Sequence, residues 1–429
     1  MSLSAWGWIT VLAQVAHPVL TVEQAVERAL TNAPLLKRAQ AESRAAEAEA
    51  DMARAPLLPQ VTATAYYRRT TANRVYRVGT PPEATDRLPP PNSQMWDRYS
   101  FGITGTQLIY DWGLTLDQYR AARAAAMAEA SNVQATRNDV ALNARLAFYA
   151  ARAQRSLVEV AHQALENQQR HLNEVEGFVQ ARLRPEIDLA QARLGVSNAK
   201  LAQVQAENAY DAARADLSRA MGTDEGIDYD VAEPPLAPLP FEVQSTRALM
   251  DRALKHRAEF TAHSQQIEAQ ELALSAARGG YGPALSLTGN VSEVGPDLTR
   301  LRWNYYGQVT LTWHLFQGLG TVARSNQAKA ALDVARAERQ DLRQRVAQEL
   351  EKARLGVRAA SAALAVAGDG IINASERLRL AESRYQAGIG SALELADAQL
   401  AQVAAEMQRV NAEYTLQAAR ATLAHAVGQ

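Results

Sequence analysis

Residues Trp303 to Trp313 alternate strictly, with Trp303, Tyr305, Gly307, Val309, Leu311 and Trp313 on one side and Asn304, Tyr306, Gln308, Thr310 and Thr312 on the other. Successive side chains of an extended chain point to opposite faces, so a period of two with one apolar face predicts a half-buried strand. Leu285, Leu287 and Val291 alternate with Ser286, Thr288, Asn290 and Ser292 in the same way. Val61 to Arg68 and Tyr99 to Thr106 form a weaker second pair. Strands of roughly ten residues can cross an outer membrane when tilted, yet four alone cannot close a barrel.

Elsewhere the period is seven. Leu350, Val357, Leu364, Ile371, Leu378 and Tyr385 follow one another without a gap, and Val158, Leu165, Leu172 and Val179 repeat the spacing upstream. A sustained heptad predicts helices packed as left-handed coiled coils. A helix from about Leu114 to Val179 would be on the order of 100 Å long at 1.5 Å per residue, which no compact globular domain needs. The background is rich in Ala, Gln, Glu and Arg, all strong helix formers.

These patterns occur twice. Arg28-Ala29-Leu30 returns as Arg252-Ala253-Leu254 and Pro59 as Pro283, both at an offset of 224. Further on, Ile103-Thr104 matches Val309-Thr310, Leu189-Ala190 matches Leu395-Ala396, Ala212-Ala213-Arg214 matches Ala418-Ala419-Arg420 and Gly222 matches Gly428, all at 206. The difference, 224 − 206 = 18, is an insertion of about 18 residues in the first copy, between Thr70 and Met95, where Pro81-Pro82 and Pro89-Pro90-Pro91 give loop chemistry. The expected organisation is a signal remnant or flexible N-terminus over 1–19, a first repeat over 20–227, a Pro-rich linker over 228–240 and a second repeat over 241–429. Each repeat reads as two short helices, a strand, a loop, a strand, a very long helix, a tight break and another long helix. The strands are expected near 60–70, 97–108, 284–292 and 301–313.

Composition narrows the function classes. The 429 residues include no cysteine, which excludes disulfides, thiolate ligands, a thiol nucleophile and an N-terminal lipid-modified cysteine. Lys and Arg number 45 against 46 Asp and Glu, so no cation excess exists for general nucleic-acid binding. No uninterrupted apolar run reaches the ~18 residues of a spanning helix. At the N-terminus, Ala5 to Ala13 is an apolar run followed by small residues suited to cleavage, but the first basic residue is Arg28.

The paired openings Glu27-Arg28-Ala29-Leu30 and Asp251-Arg252-Ala253-Leu254 and a proline before the first strand of each copy are joined by two strand-to-helix junctions. These are Gln107-Leu108-Ile109-Tyr110-Asp111-Trp112-Gly113 and His314-Leu315-Phe316-Gln317-Gly318. Arg384-Tyr385-Gln386-Ala387-Gly388 is then followed by Leu393-Glu394-Leu395-Ala396-Asp397-Ala398. In these residues the chain resembles the outer membrane efflux protein family of TolC-like channels, from about Leu20 onward. The resemblance implies a mainly α fold with a membrane β-barrel. Antiparallel coiled-coil helices would form a trimeric α-barrel, and four strands per chain would complete a 12-stranded β-barrel. It further implies a homotrimer in the Gram-negative outer membrane reaching into the periplasm. Its partners would be outer-membrane lipid, a periplasmic adaptor (membrane fusion) protein and an inner-membrane pump of RND or ABC type. The function so implied is a passive exit duct for efflux or type I secretion, not an enzyme and without cofactors.

On that resemblance, Glu394 and Asp397 are the candidate selectivity residues, joined at the gate by Asp188 and Tyr385. Their spacing of three puts both second-copy carboxylates on one helix face, a pattern that two charges on an ordinary solvated face also produce. The first copy keeps Asp188 but has Gln191 where the second has Asp397. A basic residue that the family often carries two positions after the tip glycine is replaced by Gly390. The helix breaks, with Leu183, Arg184, Gly388, Ile389 and Gly390, are the expected adaptor-contacting tips; simple tip packing is the alternative. The seven histidines show no metal-ligand spacing. Gly318-Leu319-Gly320-Thr321-Val322-Ala323 imitates a dinucleotide fingerprint, but the strand before it alternates, whereas such a motif follows a strand buried on both faces. Two other readings remain, a periplasmic coiled-coil scaffold without a pore and an NAD-dependent enzyme.

Overall fold

The computed structural model describes residues 18–71, 94–224 and 226–429; the apolar N-terminal run and nearly all of the Pro-rich insertion lie outside them. Among the described residues, eight α-helices and six strands follow in the order β1 (Val19–Leu20), α1 (Val22–Asn32), α2 (Pro34–Arg54), β2 (Gln60–Thr71), β3 (Met95–Tyr110), α3 (Leu114–Gln180), α4 (Glu186–Met221), β4 (Asp230–Val231), α5 (Thr246–His256), α6 (Ala258–Gly279), β5 (Ala284–Gly295), β6 (Arg302–Thr312), α7 (Gly320–Gln386) and α8 (Ala392–Val427). The long helices come as equals: α3 and α7 have 67 residues each, α4 and α8 have 36 each. The chain forms two compact units, and each draws on both halves of the sequence.

The first unit comprises residues up to Ala41, Ala130–Thr261 and Gln340–Gln429. Its cores lie along the heptads. Leu350 and Val357 are buried with Leu249, Phe260, Leu423 and Val427, with Leu364 packed alongside. A second cluster gathers Leu20, Phe148, Tyr210, Leu217 and Tyr229, where β1 and β4 pair in parallel and tie the N-terminal segment to the region after α4. Thr21 starts α1 with a capping box, its hydroxyl taking the Gln24 N–H while the Gln24 side chain takes its own. The Pro-rich stretch is held by α8: Arg420 binds Glu242 at 3.1 Å and the Leu236 carbonyl at 3.1 Å. α7 contains a stretch long and apolar enough, by composition alone, to cross a membrane; its heptad residues are instead packed against other helices.

Near the end of α8 lies an ion network. His425 Nε2 meets Asp139 of α3 at 2.7 Å, and its Nδ1 lies 3.7 Å from Glu349 of α7. Buried Arg257, between α5 and α6, bonds Glu349 and Glu259 at 2.7 Å each. Contact with Asp139 and then Glu349 holds the imidazole proton up to about 9. Contact with His425 and then the Arg257 guanidinium holds the Glu349 carboxyl down to about 2. The Arg257 charge, 7% exposed, persists only in such company.

The second unit, Glu42–Glu129 with Ala262–Arg339, contains a four-stranded antiparallel sheet in the order β2-β3-β5-β6. Cross-strand partners share a face, so the register sorts the side chains. Val61↔Gly105, Ala63↔Ile103, Ile103↔Val291, Val291↔Tyr305 and Leu285↔Leu311 run along one face, which is apolar and aromatic. Thr62↔Thr104, Thr104↔Asn290, Thr288↔Gln308 and Ser292↔Asn304 run along the other, which is polar. Trp303 and Tyr305 stack on the apolar face, ring centroids 5.8 Å apart. Both strand-to-helix junctions turn through left-handed backbone, at Trp112 and Gly113 in one and at Gly318 and Leu319 in the other. The glycine run that imitates a dinucleotide fingerprint is therefore the turn leaving an antiparallel strand.

Candidate functional site

The two breaks between long helices are built from one turn used twice. In the second, Gly388 takes the left-handed conformation at φ +77°, while the Ile389 and Gly390 N–H groups return to the Arg384 carbonyl at 3.1 and 2.9 Å. This closes the last carbonyls of α7 in the manner of a Schellman cap. In the first break Arg182 adopts the same left-handed backbone at φ +56° and the Leu183 N–H reaches the Phe178 carbonyl at 2.8 Å. A side chain there is strained by about 1 kcal/mol where glycine is not. Pro185 then occupies the N-cap position of α4 without a capping bond, and Ser391 caps α8, its hydroxyl accepting the Glu394 N–H at 3.1 Å.

Tyr385, one residue from the end of α7, is the hub. It is 1% exposed and packs with Val175, Ala192, Ala381, Leu395 and Ala398. Arg184, from the other break, donates to the Tyr385 carbonyl at 2.9 Å and lies 4.4 Å above its ring. His171 of α3 meets the same ring edge-on at 5.5 Å. The phenol oxygen is buried and has no hydrogen-bond partner among the described residues. Burial, and after it the charge of Asp188, raises its pKa. Burial lowers that of His171, against the pull of Glu174 and Asp188.

The expected residues thus divide. Arg184 and Tyr385, from the two breaks, are in direct contact, and the charge of Asp188 acts on the Tyr385 phenol and the His171 imidazole from nearby on α4. Glu394 is exposed and paired with Arg384 at 3.2 Å, and Asp397 is exposed farther along α8. Gly390 is buried, and a Cβ there would sit 2.9 Å from the Tyr385 nitrogen, so no side chain fits. Arg184 stands where the repeat offset puts the counterpart of Gly390, since 390 − 184 = 206. The first copy thus carries a cation at the position where the second has a glycine. Leu183 and Ile389 are 70% and 72% exposed at the ends of the turns. Ile187 and Leu393, 73% and 64% exposed, extend that apolar surface into the next helices. Sequence reading passed over this second pair, although its 206 offset marks it as a repeat.

The model of the outer membrane efflux protein family matches residues 25–223 and 249–429. The toluene efflux pump outer membrane protein TtgC of Pseudomonas putida is 25% identical over 278 residues, covering 63% of this chain and 57% of that protein; the match thus spans less than two thirds of the relative's length. Protein CyaE of Bordetella pertussis is 25% identical over 395 residues, 91% of this chain and 80% of that protein. Among solved structures, a membrane protein from Pseudomonas aeruginosa superposes with a TM-score of 0.82 at 20% identity, covering 95% of this chain and 90% of that one. The Campylobacter jejuni CmeC outer membrane channel gives 0.80 at 20% identity, covering 95% and 85%. The helical repeat, the two-faced sheet and these matches together establish that the chain belongs to the outer membrane efflux protein family.

Proposed function

We propose that the protein is the outer-membrane exit duct of an efflux or type I secretion system, working as a homotrimer without catalysis of its own. The observation that carries this reading is the sheet. One face is apolar and aromatic except at its hairpin end, where it carries Arg69, Asp97 and Glu293, and the other is polar; β2 and β6 are edges whose outward backbone groups have no partner strand among the described residues. An open edge in hydrocarbon costs several kcal/mol per unpaired group. Three such sheets joined edge to edge would close twelve strands, with the polar faces lining the pore and the aromatic faces toward lipid. The mostly helical remainder agrees with a tunnel of coiled coils that continues the pore.

The helix breaks would form the periplasmic mouth. Glu394, Asp397 and Asp188 would repeat as carboxylate rings there, whose field favours cations. Arg184, placed on Tyr385, would hold the two breaks of each chain together. The apolar groups Leu183, Ile187, Ile389 and Leu393, with the turns at Gly388 and Gly390, would meet a periplasmic adaptor that couples the duct to an inner-membrane pump.

Single-channel recording in a planar lipid bilayer tests this. The expected result is discrete cation-selective steps from a trimer, with Glu394→Ala plus Asp397→Ala lowering cation preference and weakening block by multivalent cations. A soluble monomer without conductance would refute the duct. Unchanged selectivity in the double variant would refute the carboxylate rings alone.

A further inference from the structure

At its hairpin end the polar face of the sheet carries charge of one sign. Arg68 and Arg98 are direct cross-strand partners. Arg302 pairs with Val294, which pairs with Ser100, two residues along β3 from Arg98. Strand alternation therefore puts all three arginines on the polar face, Arg68 and Arg98 on adjacent strands and Arg302 one rung along that face and two strands over from Arg98. The neighbouring carboxylates fall on the other face: Asp97 accepts from Tyr67 at 2.7 Å and lies 3.7 Å from Arg69, and Glu293 pairs with Trp303. Among the described residues no carboxylate stands within ion-pair distance of Arg68, Arg98 or Arg302; Arg68 instead lies 5.2 Å above the Tyr66 ring. Like charges directly opposite in a sheet are destabilising. The Arg68–Arg98 pairing costs the fold stability, and among the described residues no ion pair offsets it, so its explanation lies in what it attracts.

We propose that Arg68, Arg98 and Arg302 form an anion-binding vestibule inside the pore, which takes solutes bearing several oxyanion groups. The inference rests on the pore reading above, because it needs the polar face to line the pore. Guanidinium groups bind sulfonate, phosphate and carboxylate oxygens through paired hydrogen bonds, and threefold repetition would surround a solute with arginines from every chain. The vestibule opposes in sign the carboxylates expected at the helix breaks. An anionic solute would thus be repelled at one constriction and held at another, which gives the duct a polarity that net charge conceals.

The test is block of the channel by naphthalene trisulfonate, which keeps its charge at all working pH values. The assembled wild-type trimer is expected to be blocked from one side only. Because arginine does not titrate, the block should not change between about pH 5 and about pH 8. Changing Arg68→Gln, Arg98→Gln and Arg302→Gln together should weaken the block about tenfold or more, the scale on which a charged cleft concentrates a counter-ion. The three corresponding lysine changes should preserve most of it. Arg98→Gln alone removes the like-charge pair, so it should assemble at least as well as wild type and show a partial loss. Channels that conduct but are not blocked, or a triple variant blocked like wild type, would overturn the vestibule and leave the duct standing. Absence of conductance in the wild type would overturn the duct itself.

Discussion

His425→Gln isolates the worth of one buried charge. Glutamine can still hydrogen-bond Asp139, now 2.7 Å from the imidazole, but carries no positive charge to set against Asp139 and Glu349. The histidine pKa is raised from 6.5 to about 9; its own side chain is 12% exposed, while that of Asp139, its main partner, is 56% exposed, so solvent screens part of the interaction. A group whose folded pKa is raised contributes its full stabilisation below the unfolded value and loses it as pH climbs through the folded one. Linkage then makes the wild type more stable than the variant by at most about 2.5 kcal/mol per chain at pH 7, less the part that solvent screens, and by at most about 0.5 kcal/mol at pH 9. Glu349 behaves oppositely: its pKa falls from 4.5 to about 2, so its contribution is present above 4.5 and fades below. The network is therefore strongest between the two unfolded values, 4.5 and 6.5. The assay is urea unfolding of the assembled protein in detergent, wild type and variant side by side from pH 6 to 9. A gap that narrows with rising pH is expected; one that stays constant would refute the ionised-histidine argument.

Two further outcomes follow from the helix breaks. Arg184→Ala removes a cation over the Tyr385 ring and a bond to its carbonyl, together worth about 2 kcal/mol, or on the order of 30-fold in the population with the breaks parted. Single-channel recording should show larger or more frequent openings, and wild-type behaviour would refute a holding role. Gly388→Ala meets no atom within 4 Å and should cost only the left-handed strain of about 1 kcal/mol. Gly390→Ala drives a Cβ against the Tyr385 and Arg384 backbone and should cost clearly more in the same unfolding assay; equal losses would refute the close-approach argument.

What the sequence alone determined is what local periodicity can encode. Alternation from Trp303 to Trp313 marked a two-faced strand, and the heptads through Leu350 and Val357 marked buried helix seams, because each pattern needs only neighbours a few residues apart. Glu394 and Asp397 were legible as a pair on one helix face for the same reason. Tertiary structure alone decided the contacts between distant segments. It put β3 beside β5, brought Arg184 onto a tyrosine 201 residues away, paired Glu394 with Arg384 and set His425 against Asp139 across 286 residues. It also lined up Arg68, Arg98 and Arg302 on one face. A repeat fixes which face of an element is apolar. It leaves open the rotation of one helix about another and the register of one strand on the next, and those settle which charged groups meet.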